Sequence, residues 1–136
     1  MKRIDDRTWV SGQIAPEQVA ALAQQGFTTI VNNRPDGEEL GQPPAAEIEA
    51  AARAAGLEYR HVPVASGLSE AQVAAMSEAL QASDGKALAF CRSGTRSTYL
   101  WALARRSCGD GPEDIARKAA AAGYDLTPIL PYLGSN

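Results

Sequence analysis

The chain has 136 residues, enough for one domain but too few for a second domain with its own hydrophobic core. Its net charge of −3 at pH 7 gives no reason to expect nucleic acid or an anionic membrane as a partner. The first six residues become charged again before any apolar stretch, and no run approaches about 18 apolar residues, so we expect neither a secretory signal nor a membrane helix. We therefore expect a single domain over residues 1–136 that works in the cytoplasm.

Cysteine and histidine content limits the chemistry further. An isolated pair such as Cys91 and Cys108 is, in a reducing compartment, more often two free thiols than a disulfide. His61 is the single histidine, and the chain contains no Cys-x-x-Cys motif or other metal-ligand spacing. We expect no metal site and no cofactor.

The first half of the chain alternates strands with helices. Thr8–Ser11 is predicted as a short strand, and a helix is predicted to begin at Pro16 and to end before Gly26. Phe27–Asn32 is a β-branched run of the length of a buried strand. Residues 33–44 then form a polar loop, and loops at strand ends often carry function.

The second half continues the alternation. In chain order, the predicted elements are a helix around Ile48 that ends at Gly56, a strand over Tyr59–Val64, a helix from the Ser69 capping box to about Gln81, a strand over Lys86–Phe90, a helix around Leu100 and a helix over Pro112–Ala122. The last segment, Thr127–Leu133, could be a short amphipathic helix that docks on this domain or on a partner. This pattern predicts an α/β fold with a short, mostly parallel sheet of four to five strands flanked by helices on both faces.

The segment Cys91–Ser97, Cys-Arg-Ser-Gly-Thr-Arg-Ser, follows an apolar strand directly and precedes a helix. Ligands bind beyond the carboxyl ends of strands in open α/β sheets. Backbone N–H groups in a tight turn, together with a helix N-terminus, form an electropositive concavity. Arg92 and Arg96 add charge, and Gly94 permits the positive φ of such a turn. These features favour Cys91 as a thiolate nucleophile over an inert, buried cysteine.

Phe90–Ser97 resembles the active-site loop of rhodanese-type sulfurtransferases, whereas the surrounding chain resembles the tyrosine and dual-specificity phosphatase superfamily. More closely, nearly the whole chain is similar to the phosphatase-like domain of beta-lactamase-hydrolase-like bacterial proteins. Besides the cysteine loop, the segments that carry this similarity are Val10–Gln13, Ile30–Glu38 and His61–Val64. The resemblance implies a tyrosine-phosphatase-like domain of three layers.

Two departures from the phosphatase pattern bear on the reaction. Those phosphatases use a Cys-x5-Arg loop, whereas here Arg96 comes one residue early and Ser97 stands at the arginine position. Ala65-Ser66-Gly67, where the aspartate that protonates the leaving group would be expected, contains no carboxylate. The shorter loop resembles that of rhodanese-like enzymes, which implies transfer of sulfane sulfur through a persulfide on Cys91 to a second thiol or cyanide.

Two alternatives stay open beside this sulfurtransferase. One is a phosphatase that hydrolyses phosphomonoesters through a phosphocysteine, and the other is a non-catalytic anion or persulfide sensor. In each case the expected ligand is a small sulfur-containing or phosphate-like anion. The resemblance also implies a metallo-beta-lactamase-like sulfur dioxygenase as a possible partner, since such a domain often accompanies this one in the family.

The residues predicted for the site come from two loops. The catalytic residues are Cys91, Arg96 and Ser97, and the substrate-binding residues are Arg92, Ser93, Gly94, Thr95, Arg34 and Asp36. Ser97 is predicted to hydrogen-bond the Cys91 sulfur, the alternative being an ordinary hydroxyl in the first turn of a helix. Asp36 either replaces the missing acid or sets a solvated turn. His61 is expected to be structural, and Cys108 to lie too far along the helix to act as a resolving thiol.

Overall fold

The computed structural model of the protein describes residues 1–134 and has a five-stranded sheet. The strands are β1 (Lys2–Arg3), β2 (Thr8–Ser11), β3 (Phe27–Asn32), β4 (Glu58–His61) and β5 (Lys86–Phe90). Their order is β1-β2-β5-β3-β4; β1 is antiparallel to β2 and the other neighbours are parallel. The prediction of a short, mostly parallel sheet is confirmed, although β1 was missed because two exposed residues carry no apolar pattern.

Helices cover both faces of the sheet. They are α1 (Val19–Gln24), α2 (Ala45–Ala54), α3 (Glu70–Ala82), α4 (Thr95–Ser107), α5 (Pro112–Ala121) and α6 (Leu130–Leu133), with 3₁₀ turns at Pro16–Gln18 and Thr127–Ile129. The Ser69 capping box at the start of α3 is confirmed, because Ser69 Oγ accepts the Gln72 amide and Gln72 Oε1 accepts the Ser69 amide.

The two faces of the sheet belong to two separate apolar clusters. Ile30 and Leu88 pack with α1 and α2, whereas their neighbours Val31 and Ala89 pack with α3, α4 and α5. All four side chains are almost fully buried. Successive side chains of a strand point to opposite faces of the sheet, so a continuous apolar run packs against the helices on both faces. The predicted three-layer α/β architecture is confirmed.

The fourth strand is shorter than predicted. It ends at His61 rather than at Val64, because Pro63 has no N–H to continue a ladder. The chain nevertheless stays beside the end of β3, since the Val62 amide donates to the Asn32 carbonyl at 2.9 Å and the Val64 amide to the Asn33 carbonyl at 3.0 Å. This pairing brings the following residues, 65–67, to the same edge of the sheet.

The C-terminal segment docks on this domain. Ile129 is 3% exposed and Leu133 is 2% exposed, and both belong to the cluster that contains Trp101 of α4. Of the two alternatives for this segment, the structure therefore selects the intramolecular one. Among residues 1–134, no helix combines the length and the apolar character that crossing a membrane requires.

Candidate active site

Four loops meet at the carboxyl edge of the sheet. Because β2, β5, β3 and β4 are parallel, the segments that follow them lie side by side. The Cys91 amide donates to the Ser11 carbonyl at 3.2 Å, and the Asn33 amide donates to the Phe90 carbonyl at 2.8 Å. The cysteine loop is thus flanked by the loop after β2 and by the loop after β3, as expected for the ligand-binding edge of such a sheet.

Cys91 is 1% exposed, but its sulfur faces polar backbone. The Gly94 amide donates to Cys91 Sγ at 3.1 Å, and Gly94 has the predicted positive φ, 94°. Within the described chain, no acceptor takes the amide hydrogens of five loop and first-turn residues: Arg92, Ser93, Thr95, Arg96 and Ser97. These groups are available to an anion, since the first amides of a helix have no intrahelical partner.

The loop after β2 supports the cysteine loop from one side. The Gln13 amide donates to the Arg92 carbonyl at 3.3 Å. An ideal Cβ on Gly12 would lie 2.9 Å from the Arg92 carbonyl oxygen, so a larger residue would push the two loops apart. Gln13 is therefore part of the site, and the only signal in the sequence was the segment Val10–Gln13 that carried the family resemblance.

Arg96 makes a two-point contact with a carboxylate. Its Nη1 donates to Glu38 Oε2 at 2.7 Å and to the Val64 carbonyl at 2.6 Å, while Nη2 donates to Glu38 Oε1 at 2.8 Å. The Glu38 carboxylate, and to a smaller extent the charge of Cys91, raises the pKa of Arg96 above its usual value. The end of the guanidinium is thus engaged by the protein, and its Nε–H and one Nη2–H are the donors left for a ligand.

Glu38 lies between two arginines. Hydrogen bonds from Arg96, and then from Arg34, lower the pKa of Glu38 to about 2. Arg34 is 1% exposed and directs its donors to Glu38, Glu39 and Gln13. The substrate contact predicted for Arg34 is therefore corrected to a supporting position behind Glu38, because its side chain is buried and its guanidinium is bonded to three groups of the protein.

Asp36 sits at the start of α2. Its Oδ1 accepts the Ala45 amide at 2.7 Å, which satisfies one of the free N–H groups at the N-terminus of that helix. This contact gives Asp36 a structural role at a helix N-terminus instead of the solvated turn considered from the sequence, and its roles as substrate-binding residue and as replacement acid stay predictions. The neighbouring Glu39 bonds Arg34 at 3.0 Å and lies 3.7 Å from the exposed Arg92.

Ser97 is the third residue of α4 and is fully buried. Its Oγ has no hydrogen-bond partner among residues 1–134, so the predicted bond to the Cys91 sulfur is not formed in this structure. The donor on that sulfur is instead the Gly94 amide, which the tight turn brings closer. Asn33 Oδ1, in the neighbouring loop, is a second buried oxygen for which the described part of the chain provides no partner.

His61 and Cys108 take positions outside the reactive loop. His61 Nε2 lies 3.0 Å from the Arg34 carbonyl oxygen and so helps to hold the loop after β3. Cys108 is exposed at the opposite end of α4, where chiefly a hydrogen bond with Ser77 lowers the pKa of its thiol. In residues 1–134 no group of three or more His, Cys, Asp or Glu side chains is placed to hold a metal ion.

Tyr124, which follows α5, completes the wall of the loop. Its hydroxyl donates to the Ser93 carbonyl at 3.2 Å. An ideal Cβ on Gly94 would lie 2.1 Å from the Tyr124 hydroxyl oxygen, so the ring rests directly against the turn. Nothing in the sequence around Tyr124 signals this contact, because it joins residues 31 positions apart.

The chain is similar to a family of known proteins. The family model described as "Beta-lactamase hydrolase-like protein, phosphatase-like domain" matches residues 1–108. A "Beta-lactamase hydrolase-like protein" from Xylella fastidiosa (strain Temecula1) is 37% identical over 132 residues, which cover 96% of this chain and 31% of the relative. The chain thus spans about a third of the length of that curated relative.

Solved structures show the same fold. A candidate phosphatase from Neisseria meningitidis Z2491 superposes with a TM-score of 0.83 and 32% identity, over 97% of this chain and 94% of that one. Tk-PTP in its active form has a TM-score of 0.68 at 22% identity, over 97% and 91% of the two chains, which shows likeness of fold alone. The chain therefore belongs to the family of phosphatase-like domains of beta-lactamase hydrolase-like proteins and has the tyrosine-phosphatase-like fold.

Proposed function

We propose that this domain is a rhodanese-like sulfurtransferase that carries sulfane sulfur on Cys91. The observation that carries the proposal is the engagement of Arg96 by Glu38 and the Val64 carbonyl. A phosphatase needs a guanidinium that grips the phosphoryl oxygens, whereas three of the five N–H groups of Arg96 are already bound to Glu38 and the Val64 carbonyl, and only Nε–H and one Nη2–H are left for a ligand. A terminal persulfide sulfur needs less, because a few amide donors and one nearby cation can stabilise it.

The reaction has two displacement steps. The Cys91 thiolate attacks the outer sulfur of a donor such as thiosulfate, the donor's S–S bond breaks, and sulfite leaves with the bonding electron pair. An acceptor thiolate or cyanide then attacks the outer sulfur of the persulfide, and Cys91 leaves as thiolate. The free amides of the loop would stabilise the anionic persulfide between the two steps.

Neither step requires a general acid. This agrees with the state of three carboxylates near the loop, because each is either ionised or already hydrogen-bonded within the protein. Glu38, with its pKa near 2, is ionised at neutral pH and has no proton to give. Asp36 accepts the Ala45 amide at the start of α2, and Glu39 is bonded to Arg34. Sulfite and thiolates leave as stable anions, whereas the alkoxide of a phosphomonoester needs a proton.

The test is mass spectrometry after incubation with thiosulfate. We use the Cys108→Ser protein, which keeps Cys91 as its only thiol, and the Cys91→Ser protein as its matched control. The first protein should gain the mass of one sulfur atom, lose it on addition of cyanide and release thiocyanate. The Cys91→Ser protein should gain nothing. An unmodified Cys91 after incubation with both thiosulfate and glutathione persulfide would refute the proposal.

A phosphatase is the second candidate, and the similarity to the Neisseria protein described as a candidate phosphatase favours it. Steady hydrolysis of p-nitrophenyl phosphate that is lost in Cys91→Ser, without persulfide formation, would establish this activity instead. Binding of thiosulfate or phosphate with no turnover of either substrate would indicate a sensor.

We also propose a sulfur-oxidising partner. The curated relative is about three times as long as this chain, so it has room for another activity. A metallo-beta-lactamase-like sulfur dioxygenase would oxidise the outer persulfide sulfur with dioxygen and water, so that the S–S bond breaks and thiol and sulfite are released; sulfite is also the leaving group of the first step above. Accelerated loss of the Cys91 persulfide in the presence of such an enzyme and dioxygen would support this pairing, and an unchanged rate would contradict it.

A further inference from the structure

The peptide group between Ser93 and Gly94 is bonded at both of its polar ends. Its carbonyl oxygen accepts the Tyr124 hydroxyl at 3.2 Å, and its N–H donates to Cys91 Sγ at 3.1 Å. The C=O and N–H of a trans peptide point in opposite directions within one plane. A group that holds the carbonyl on the outside of the loop therefore also directs the N–H inward, at the sulfur.

We infer that Tyr124 is a positioning residue for the proposed sulfur transfer: it fixes and polarises the Ser93–Gly94 peptide so that the Gly94 amide stabilises the Cys91 thiolate. Hydrogen bonds in a chain polarise one another, so a donor on the carbonyl strengthens the N–H as a donor to sulfur. Ser93 and Gly94 lie between the end of β5 and the start of α4, so the peptide that joins them is outside the hydrogen-bond ladders of both elements and depends on other partners such as Tyr124.

Two features make Tyr124 suited to this role. Its ring is packed against Gly94 so closely that an added Cβ would meet the hydroxyl, and the hydroxyl therefore has little freedom to leave. Burial, and then the negative charge of Cys91, raises the pKa of Tyr124. The hydroxyl thus stays protonated, and remains a donor, over the whole range in which a thiol titrates.

Other charged groups lie near the sulfur and stay in place in the test. Arg96 of α4 interacts with Cys91, Glu38 of the loop after β3 is bonded to Arg96, and the buried Arg34 lies behind Glu38. Neither Arg96 nor Glu38 is bonded to Tyr124, so removal of the Tyr124 hydroxyl leaves this charge arrangement unchanged.

The experiment compares Tyr124→Phe with Tyr132→Phe, an exposed tyrosine on α6 that serves as the matched control, both in the Cys108→Ser protein. Thiolate absorbance at 240 nm is followed from pH 4 to 9, with the Cys91→Ser protein as blank, and alkylation of Cys91 by iodoacetamide is measured over the same range. Tyr124→Phe should move both curves to higher pH and slow alkylation at pH 6 about two- to tenfold, as expected for one lost hydrogen bond. Tyr132→Phe should match the parent protein.

Coincident pH curves for Tyr124→Phe and the parent would overturn the inference, as would a rate loss that is equal at every pH, which indicates a general structural effect. The outcome is separable from that of the proposed function because neither readout involves sulfur transfer. A shifted pH curve without persulfide formation would leave Tyr124 as the positioning residue of some other thiolate reaction. Persulfide formation with an unshifted pH curve would refute the role of Tyr124 and leave the proposed sulfur transfer intact.

Discussion

At the scale of single residues, the site is organised by one carboxylate between two guanidinium groups. Glu38 receives hydrogen bonds from Arg34, which is buried, and from Arg96, which is partly exposed beside the loop. A buried arginine without a partner would carry a large desolvation cost. The pairing with Glu38 is therefore as important for Arg34 as it is for Arg96. Glu38 therefore both fixes the direction of Arg96 and stabilises the loop after β3.

The Glu38 pairing predicts a pH-dependent stability. Its pKa in the folded protein, about 2, is lower than the ordinary value of 4.5, so its contribution is complete above about pH 4.5 and is lost as the pH falls towards 2. Glu38→Gln should lower the free energy of unfolding by about 1 kcal/mol at pH 7, since partial solvent exposure screens the pair. Thermal unfolding at a series of pH values should show this deficit shrink below pH 4.5.

Glu49→Gln is the control for that measurement, because Glu49 forms an exposed pair with Arg53 on α2, away from the site. Its effect should be within about 0.5 kcal/mol at every pH. A deficit for Glu38→Gln that stays constant between pH 7 and pH 3 would show that the charge of Glu38 is not what stabilises the loop.

At the scale of elements, the reactive loop is the junction between β5 and α4. The central strand β5 is paired on both sides, so the position of Cys91 at its end is rigid. Gly94 then reverses the chain with a positive φ and serves as the N-cap of α4, and the first turn of that helix presents its free amides to the site. The candidate anion site is thus formed by the strand, the turn and the helix together, and none of these elements would form it alone.

Gly94→Ala should therefore damage the site more than a glycine substitution elsewhere. Gly37 also has a positive φ, 76°, but an added Cβ there meets nothing within 4 Å. Both variants should lose about 1–2 kcal/mol to backbone strain in urea unfolding. Only Gly94→Ala should also displace Tyr124 and slow alkylation of Cys91 at pH 6, and equal alkylation rates in the two variants would contradict this account of the turn.

At the scale of the whole molecule, the C-terminal segment helps to bury the apolar cluster on one face of the sheet. The cluster on the α3, α4 and α5 side extends from Val10 in β2 to Ile129 and Leu133 at the end of the described chain. Tyr124 belongs to the same end of the chain, so the segment after α5 both closes the core and reaches the reactive loop. The family match over residues 1–108 does not include this segment.

Leu133→Ala should lower the free energy of unfolding by about 2–4 kcal/mol, because the side chain is fully buried and its removal leaves a cavity. Leu130→Ala, in the same helix but 45% exposed, is the matched control and should cost less than about 1 kcal/mol. The measurement is chemical unfolding of both proteins. Similar costs for the two variants would show that α6 is not part of the core.

Much of the fold could be predicted from the sequence, because its signals are local. The β-branched run Phe27–Asn32 and the apolar run Lys86–Phe90 coincide with strands, and the Ser69 capping box begins a helix. The position of Cys91 follows from the same logic, since parallel strands bring their carboxyl ends to one edge. The end of β4 was predicted less well, because Pro63 stops the ladder while the chain stays paired beyond it.

The sequence by itself determined the alternation of strands and helices, the reactive cysteine at a strand end, and a loop one residue shorter than that of the phosphatases. Only the tertiary structure decided which side chains meet there: Glu38 and Arg96 are 58 residues apart, and Tyr124 and Ser93 are 31 apart. The same loop carries Asp36 and Glu38, yet the first caps a helix and the second holds an arginine. Local patterns specify backbone conformation, whereas the partner of a charged or hydroxyl group depends on how distant elements pack.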